Sequence, residues 1–550
     1  MDMEKRAFIA ILLMFLVLIF NYFLLGTRQR QVVQPPEEKP VEAAAPIDTT
    51  YEKPVEVRIE PNIAEAETIT VETPLYTALI STLGGVITSF KLHNYLSPED
   101  EPVELVPQVG SPSDSLPLAV VLHLKTGERV SLATSVFEAS TRSVHLEDGT
   151  ETLTLELATS QGLRVTKTLT FSGDTYLIKA KLDLQGSGVE AVRAIETGWY
   201  SGLATTEPDR KDDLRNFASV AFGTEGLTRE SLGKVKKRKE ISLGADLRWT
   251  GVKTKYFLAA LARQEGAIAL ARAFARGDEA IGVAGEIDFK QDEPLEAIFY
   301  AGPLDYERLK AMGLGLEKAV DFGWRWIRPL SRLIFSFMLL VHKVVPNYGL
   351  VIIILSALTK LLFYPLAQKS FKSMRAMQRL QPEMEMLREK YKNDPQKLNK
   401  AVIELYRKHG VNPVGGCLPL LPQMPVFIAL FNVLSRTIEL RRAPFVLWIK
   451  DLSRPDVVAS LPFSLPFIGS NISVLPILMG VAMFVQQKMG TKDPKQAMMT
   501  YFLPIVFTLM FFRFPSGLVL YWLVNNVLTI CHQYLVAKSE ERHLKTATGG

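Results

Sequence analysis

Lys360 is the residue whose type and position most need an explanation. It interrupts an otherwise uncharged apolar run, Gly349 to Leu362. A charge near the middle of a membrane span costs about 2.5–3.5 kcal/mol on insertion scales, so such residues pair, reach the interface or serve a function. Ser356 and Thr359, at −4 and −1, put two hydroxyls on roughly the same side. A second polar set lies near the C-terminus. Tyr521, Asn525, Thr529 and His532 recur at +4, +4 and +3, which draws one stripe along a helix. Gln423 adds an amide to a proline-rich apolar segment, with Phe427 one turn later on its face, whereas Asn432 is nine residues on and points the other way. Polar groups turned to hydrocarbon would go unsatisfied at several kcal/mol each. The stripes must therefore face one another or a water-filled cavity. Two roles fit: hydrogen bonds that hold helices together, or the lining of a water-filled polar cavity. The spacing also leaves open that Lys360 extends its amine to the headgroups.

Other chemistries find no signature. The seven histidines show no H-x-x-x-H spacing and the two cysteines, Cys417 and Cys531, no Cys-x-x-Cys spacing, so no metal site is expected. Neither G-x-x-x-x-G-K-[ST] nor G-x-S-x-G occurs. The chain is expected to be no enzyme and to need no cofactor. A net charge of +5 over 550 residues gives no electrostatic footprint for nucleic acid.

The elements that must position these residues follow from composition. Residues 7–25 lack a charge and are long enough to cross hydrocarbon, so 1–26 reads as a retained signal anchor. Residues 27–65, rich in Pro and Glu, read as a disordered tether. From 66 to 317 the period is two: Leu153, Leu155 and Leu157 alternate with polar residues, and Leu163, Val165, Leu169 and Phe171 share a face into which Lys167 intrudes. With turn pairs Gly84-Gly85 and Asp148-Gly149, this predicts a large all-β sandwich. Residues 318–343 predict an amphipathic helix in the bilayer interface, with Arg325, Arg328 and Arg332 on one face and a stripe of Trp326, Leu330, Leu333, Phe337 and Val341. Residues 344–538 form the remaining core, with spans at about 345–365, 415–435, 472–489, 498–513 and 516–536 and a tail at 539–550. With the anchor that makes six spans, a polytopic α-helical membrane protein carrying a β domain.

Between the first two core spans, 366–413 reads as a hairpin of two amphipathic helices. Met374, Met377, Leu380, Met384 and Leu387 line the first, and Leu398, Val402, Leu405 and Tyr406 the second. Lys369, Lys372, Arg375, Arg379, Arg407 and Lys408 make it basic, a face suited to lipid, an apolar segment or a ribosome. Counted over short loops and ends, nineteen Lys/Arg fall on the hairpin side against six on the other. The positive-inside rule then places both termini in the cytoplasm and the sandwich outside.

At Tyr364-Pro365, Leu405 to Pro413, Gly415 to Pro419, Gln423-Met424-Pro425, Leu475 to Gly480, Gln487-Lys488-Met489 and Phe514 to Trp522 the chain resembles the YidC/Oxa-type membrane protein insertases, over all of 320–538. Its anchor, tether and sandwich, with Trp249 to Phe257, resemble the form found in double-membraned bacteria. The resemblance implies an inner-membrane insertase and chaperone with a five-helix core around a hydrophilic groove. It implies a groove positive charge at Lys360, where the family usually has Arg, so that the two polar stripes, Ser356 and Thr359 with Gln423, Asn525, Thr529 and His532, become its expected polar lining. Substrate contact falls on Met424, Phe427, Tyr521 and Trp522. Nascent membrane proteins, the Sec translocon, the ribosome and membrane lipids are the implied partners, and the sandwich is expected to be dispensable for insertion. The competing expectations are a secondary transporter or channel with an external ligand-binding domain, and an envelope sensor.

Overall fold

The computed structural model describes residues 66–108, 113–160, 162–291, 293–411, 420–465, 469–490 and 497–548. The expected anchor, the tether and residues 412–419 with Cys417 lie outside the described residues. Those described fall into two compact units: 364–411 with Gly490 in one, all others in the second.

The period-two stretch folds as strands. Thr150–Ala158, Leu163–Ser172 and Leu177–Gly186 pair antiparallel, with Lys167 opposite Leu155 on one side and Leu182 on the other. Leu153, Leu155, Val165, Leu169, Phe171 and Ile178 are buried on the shared face. These strands belong to a 14-stranded sheet packed against a five-stranded one that includes Thr68–Glu72, Tyr76–Ser81 and Val86–Leu96. One apolar core joins both sheets, which is the sandwich. That core continues past the last strand, Leu295–Pro303, through Leu309, Leu316 and Ala319, and it takes in Ile438 from far along the chain.

The expected interfacial helix is shorter than its stripe predicts. It runs Arg328–His342 with Pro329 in its first turn, and Arg325 precedes it. The inward face is Ile327, Ser331, Ile334, Phe335 and Met338. Trp326, Leu333 and Leu340 form an outward row and are 62%, 67% and 64% exposed. The helix is therefore apolar on two sides, one for packing and one uncovered.

Helices Tyr348–Leu362, Leu420–Arg436, Leu475–Gly490, Ala497–Phe511 and Ser516–Thr548 occupy the places of the five predicted core spans. Among the described residues no single helix is long and apolar enough to cross a membrane, and Tyr348–Leu362 passes only jointly with Tyr364–Arg379. Fifteen residues make about 22 Å of helix, short of about 30 Å of hydrocarbon. The break at Phe363 has a local cause: Pro365 disfavours helical geometry at Tyr364. The last helix is long enough, but its own polar stripe lowers its hydropathy. An exposed hairpin, Val457–Leu465 with Gly469–Ser473, was not expected from the sequence, because its apolar residues blend into the flanks of the spans.

The other unit holds three helices where two were predicted: Tyr364–Arg379, Gln381–Lys390 and Pro395–Lys408. Pro382 sets the extra break at Leu380. Leu380, Met384 and Leu405 are its buried centre, with Leu387, Val402 and Tyr406 around them. The Tyr406 hydroxyl donates to Met384 Sδ at 3.1 Å. Met374, Met377 and Leu398, expected in the same stripe, stay outside that cluster. Lys369, Lys372, Arg379, Arg407 and Lys408 are exposed and Arg375 half-buried.

Candidate functional site

Three helices bring the predicted polar residues together. Lys360, in the last turn of Tyr348–Leu362, extends its amine to Thr529 on Ser516–Thr548, with Nζ 2.6 Å from the Thr529 hydroxyl it donates to. That hydroxyl in turn donates to the Asn525 carbonyl one turn back at 2.6 Å. The Tyr521 hydroxyl lies beside the polar side chains of Thr359, Gln423 and Asn525, so its single polar atom meets all three helices. His532 lies within electrostatic range of Lys360. The side-chain nitrogens of Asn525 and Asn526 are buried with no hydrogen-bond partner among the described residues. Buried amide donors normally find partners, so these mark polar capacity that the helices themselves do not use.

Some expected roles move. Ser356 is fully buried and donates its hydroxyl to the Ile352 carbonyl at 2.8 Å, so it supports the helix instead of lining a groove. Tyr521, expected to touch substrate, is 1% exposed and acts as a strut. Trp522 stands edge-on to Phe427 at 5.0 Å and also packs on Phe507 and Phe511, an aromatic block in place of an open contact. Met424 and Phe427 remain half-buried. Asn432, read as pointing elsewhere, does so: its amide donates to Ile428 O at 2.9 Å and closes on Gly323, where a Cβ would come within 2.3 Å of it.

The sandwich carries a polar cavity of about 380 Å³ lined by Arg129, Glu196, Tyr200, Arg272, Phe274 and Arg276. Beside it, ligand atoms of His123, Glu196 and Glu286 lie within 4.8 Å of one another, a grouping that spacing along the sequence could not show. Glu196 already accepts from Arg129 at 2.8 Å, from Arg272 at 2.8 and 3.0 Å and from the Tyr200 hydroxyl at 3.0 Å. Two guanidiniums on one carboxylate oppose a further cation, so the residues fit an ion-pair network better than a metal.

An apolar helical core with a polar seam accompanies the sandwich, and comparison with known proteins gives the class, a membrane protein insertase. Residues 340–543 match the family described as 60Kd inner membrane protein, and 68–337 match the YidC periplasmic domain. The Membrane protein insertase YidC of Pelobacter propionicus is 38% identical over 558 residues, covering 98% of this chain and 99% of that protein. That of Geobacter metallireducens is 38% identical over 555 residues, with the same coverage of 98% and 99%. The chain belongs to the YidC family of membrane protein insertases. A crystal structure of an active YidC insertase matches 86% of this chain and 95% of its own at 19% identity, with a TM-score of 0.39. A galactose mutarotase related enzyme from Lactobacillus acidophilus matches 43% of this chain and 97% of its own at 12% identity, with a TM-score of 0.30.

Proposed function

We propose that this inner-membrane insertase works through the Lys360 seam as a groove. The observation that carries the reading is the Lys360–Thr529 contact between two helices that the sequence alone could only suggest were neighbours. A cation held in a protein seam, with the unused amide donor of Asn525 one turn from its partner Thr529, lowers the barrier for a hydrophilic segment part-way across the bilayer. Lys360 attracts acidic residues of the segment to be exported. The substrate's apolar helix slides past Met424 and Phe427 into lipid, where burial of apolar surface is downhill. Lysine in place of the family's usual arginine keeps the charge and gives up bidentate recognition. Tyr521 sets the spacing of the walls.

Six spans with both termini cytoplasmic, and the sandwich periplasmic, remain our topological proposal. The loop after Leu420–Arg436 pairs its arginines with sandwich carboxylates, which supports placing both on one side. The basic hairpin receives the nascent chain or ribosome, and the sandwich offers a surface to the Sec translocon. The domain limits are proposed as 66–319 for the sandwich and 328–342 for the interfacial helix. Family membership sets aside the transporter, channel and sensor readings. Site-specific crosslinkers at Met424 and Phe427 should capture a ribosome-stalled membrane protein. Capture confined to lipid-facing control positions such as Ile505 would refute the groove.

A further inference from the structure

The segment between Leu420–Arg436 and Leu475–Gly490 touches three things at once. Its first residues are built into the sandwich. Ile438 is 4% exposed within the sandwich core, and the Arg441 and Glu207 side chains, 2% and 7% exposed, pair at 2.7 Å. Arg454 takes the other Glu207 oxygen at 2.9 Å, and Arg441 also lies over the rings of Tyr256 and Phe257. Its next residues meet the Lys360 helix. The Asn347 amide donates to Phe445 O at 3.4 Å, and Gly349 passes so close that a Cβ there would come within 2.0 Å of the Phe445 ring. Its last residues cap the Thr529 helix. Ser516 N donates to Arg454 O at 2.7 Å, the Ser516 hydroxyl to Asp451 O at 2.8 Å, and Gly517 N to Leu452 O at 2.9 Å.

From this we infer that Glu207 is a positioning residue for insertion: by neutralising the buried Arg441, and with it Arg454, it lets the 438–454 brace seat where both walls of the groove are set. The inference rests on the groove reading above. Glu207 touches no substrate. Its carboxylate holds one arginine from each end of the brace, and the brace seats the outer ends of the two helices that carry Lys360 and Thr529. Thr529 lies thirteen residues from Ser516, or about 20 Å of helix, so a small tilt at the cap displaces the hydroxyl that meets Lys360. The expected dispensability of the sandwich is compatible with this. Without the sandwich, Arg441 and Arg454 become hydrated, whereas a neutral residue at 207 leaves Arg441 buried and unpaired, which is the more damaging state.

The test uses the full chain in vesicles. Glu207→Gln should speed hydrogen exchange of the Ser516 and Gly517 amides about tenfold. It should also slow insertion of a small acidic-tailed membrane protein severalfold. Adding Arg441→Met, which keeps the stem over Tyr256 and Phe257 but removes the stranded charge, should restore both. Arg454→Gln should give the same defects more weakly. Unchanged exchange in Glu207→Gln, faster exchange without slower insertion, or a double variant no better than the single one would each overturn the inference. If insertion in the parent protein proves indifferent to Lys360, the groove reading fails by itself while the exchange result still decides whether the brace exists.

Discussion

Two lysines break apolar patterns in this chain, one in each kind of architecture, and they end in opposite states. Lys167 sits in the sandwich at 3% exposure and donates to the carbonyls of Gly85 and Leu118, both at 2.6 Å. Gly85 suits its turn because its φ of 58° favours glycine and a Cβ there would come within 3.0 Å of the Leu155 side chain. Burial pushes the Lys167 amine down to about 7. Lys360 is half-buried and has one described partner, a hydroxyl that is itself directed to a backbone carbonyl. The first amine is consumed by the fold, while the second keeps donors to spare. A buried lysine signals function only when its partners leave it something to do.

That contrast can be broken by exchanging which property each substitution damages. The largest effect is expected at the seam. Lys360→Glu should cut insertion of an acidic-tailed substrate about tenfold or more, Lys360→Gln less, and Lys360→Arg little, with thermal unfolding near that of the parent in all three. Equal activity of Glu and Lys would sink the electrostatic step. Lys167→Met should do the reverse, lowering sandwich stability by about 2–4 kcal/mol at pH 8 because two buried carbonyls lose their donors. Insertion per folded molecule should hold, and a stable variant with weak insertion would erase the distinction. The smallest effect concerns a carboxyl. Burial, followed by the neighbouring Asp305 and Glu307, pushes Glu439 up to about 8. With the folded value above the ordinary one, its contribution is full below about pH 4.5 and is lost as pH rises through about 8. Glu439→Gln should remove that pH dependence, read as an unfolding midpoint that no longer falls between pH 5 and 8.5.

Much of the architecture was legible because burial imposes a period. Leu153, Leu155 and Leu157 announced a strand, and the +4, +4, +3 recurrence of Tyr521, Asn525, Thr529 and His532 announced a polar face. What periodicity cannot carry is partner identity. The family resemblance placed Tyr521 and Trp522 at substrate, whereas one is a buried strut and the other an aromatic packing residue. The loop-charge count took Arg436, Arg441, Arg442 and Arg454 only as charges on the minority side of the membrane. Their carboxylate partners Asp321, Glu207 and Asp100 lie 115 to 342 residues away, a separation no local pattern encodes. Helix ends failed for a different reason: Pro365 cuts an otherwise continuous apolar run, and Pro382 an otherwise continuous amphipathic one.

The two-sided helix Arg328–His342 has one more consequence. Its inner face is committed to Phe322 and Tyr306, whose rings pack on Phe335 at 5.5 and 6.0 Å. It cannot roll without opening that contact, so the row of Trp326, Leu333 and Leu340 keeps a fixed bearing. If its outward row meets lipid, as we propose, a helix so restrained behaves as a float rigidly joined to a hull: any change in the height of that surface is passed to the aromatic cluster, and from there to the end of the sandwich.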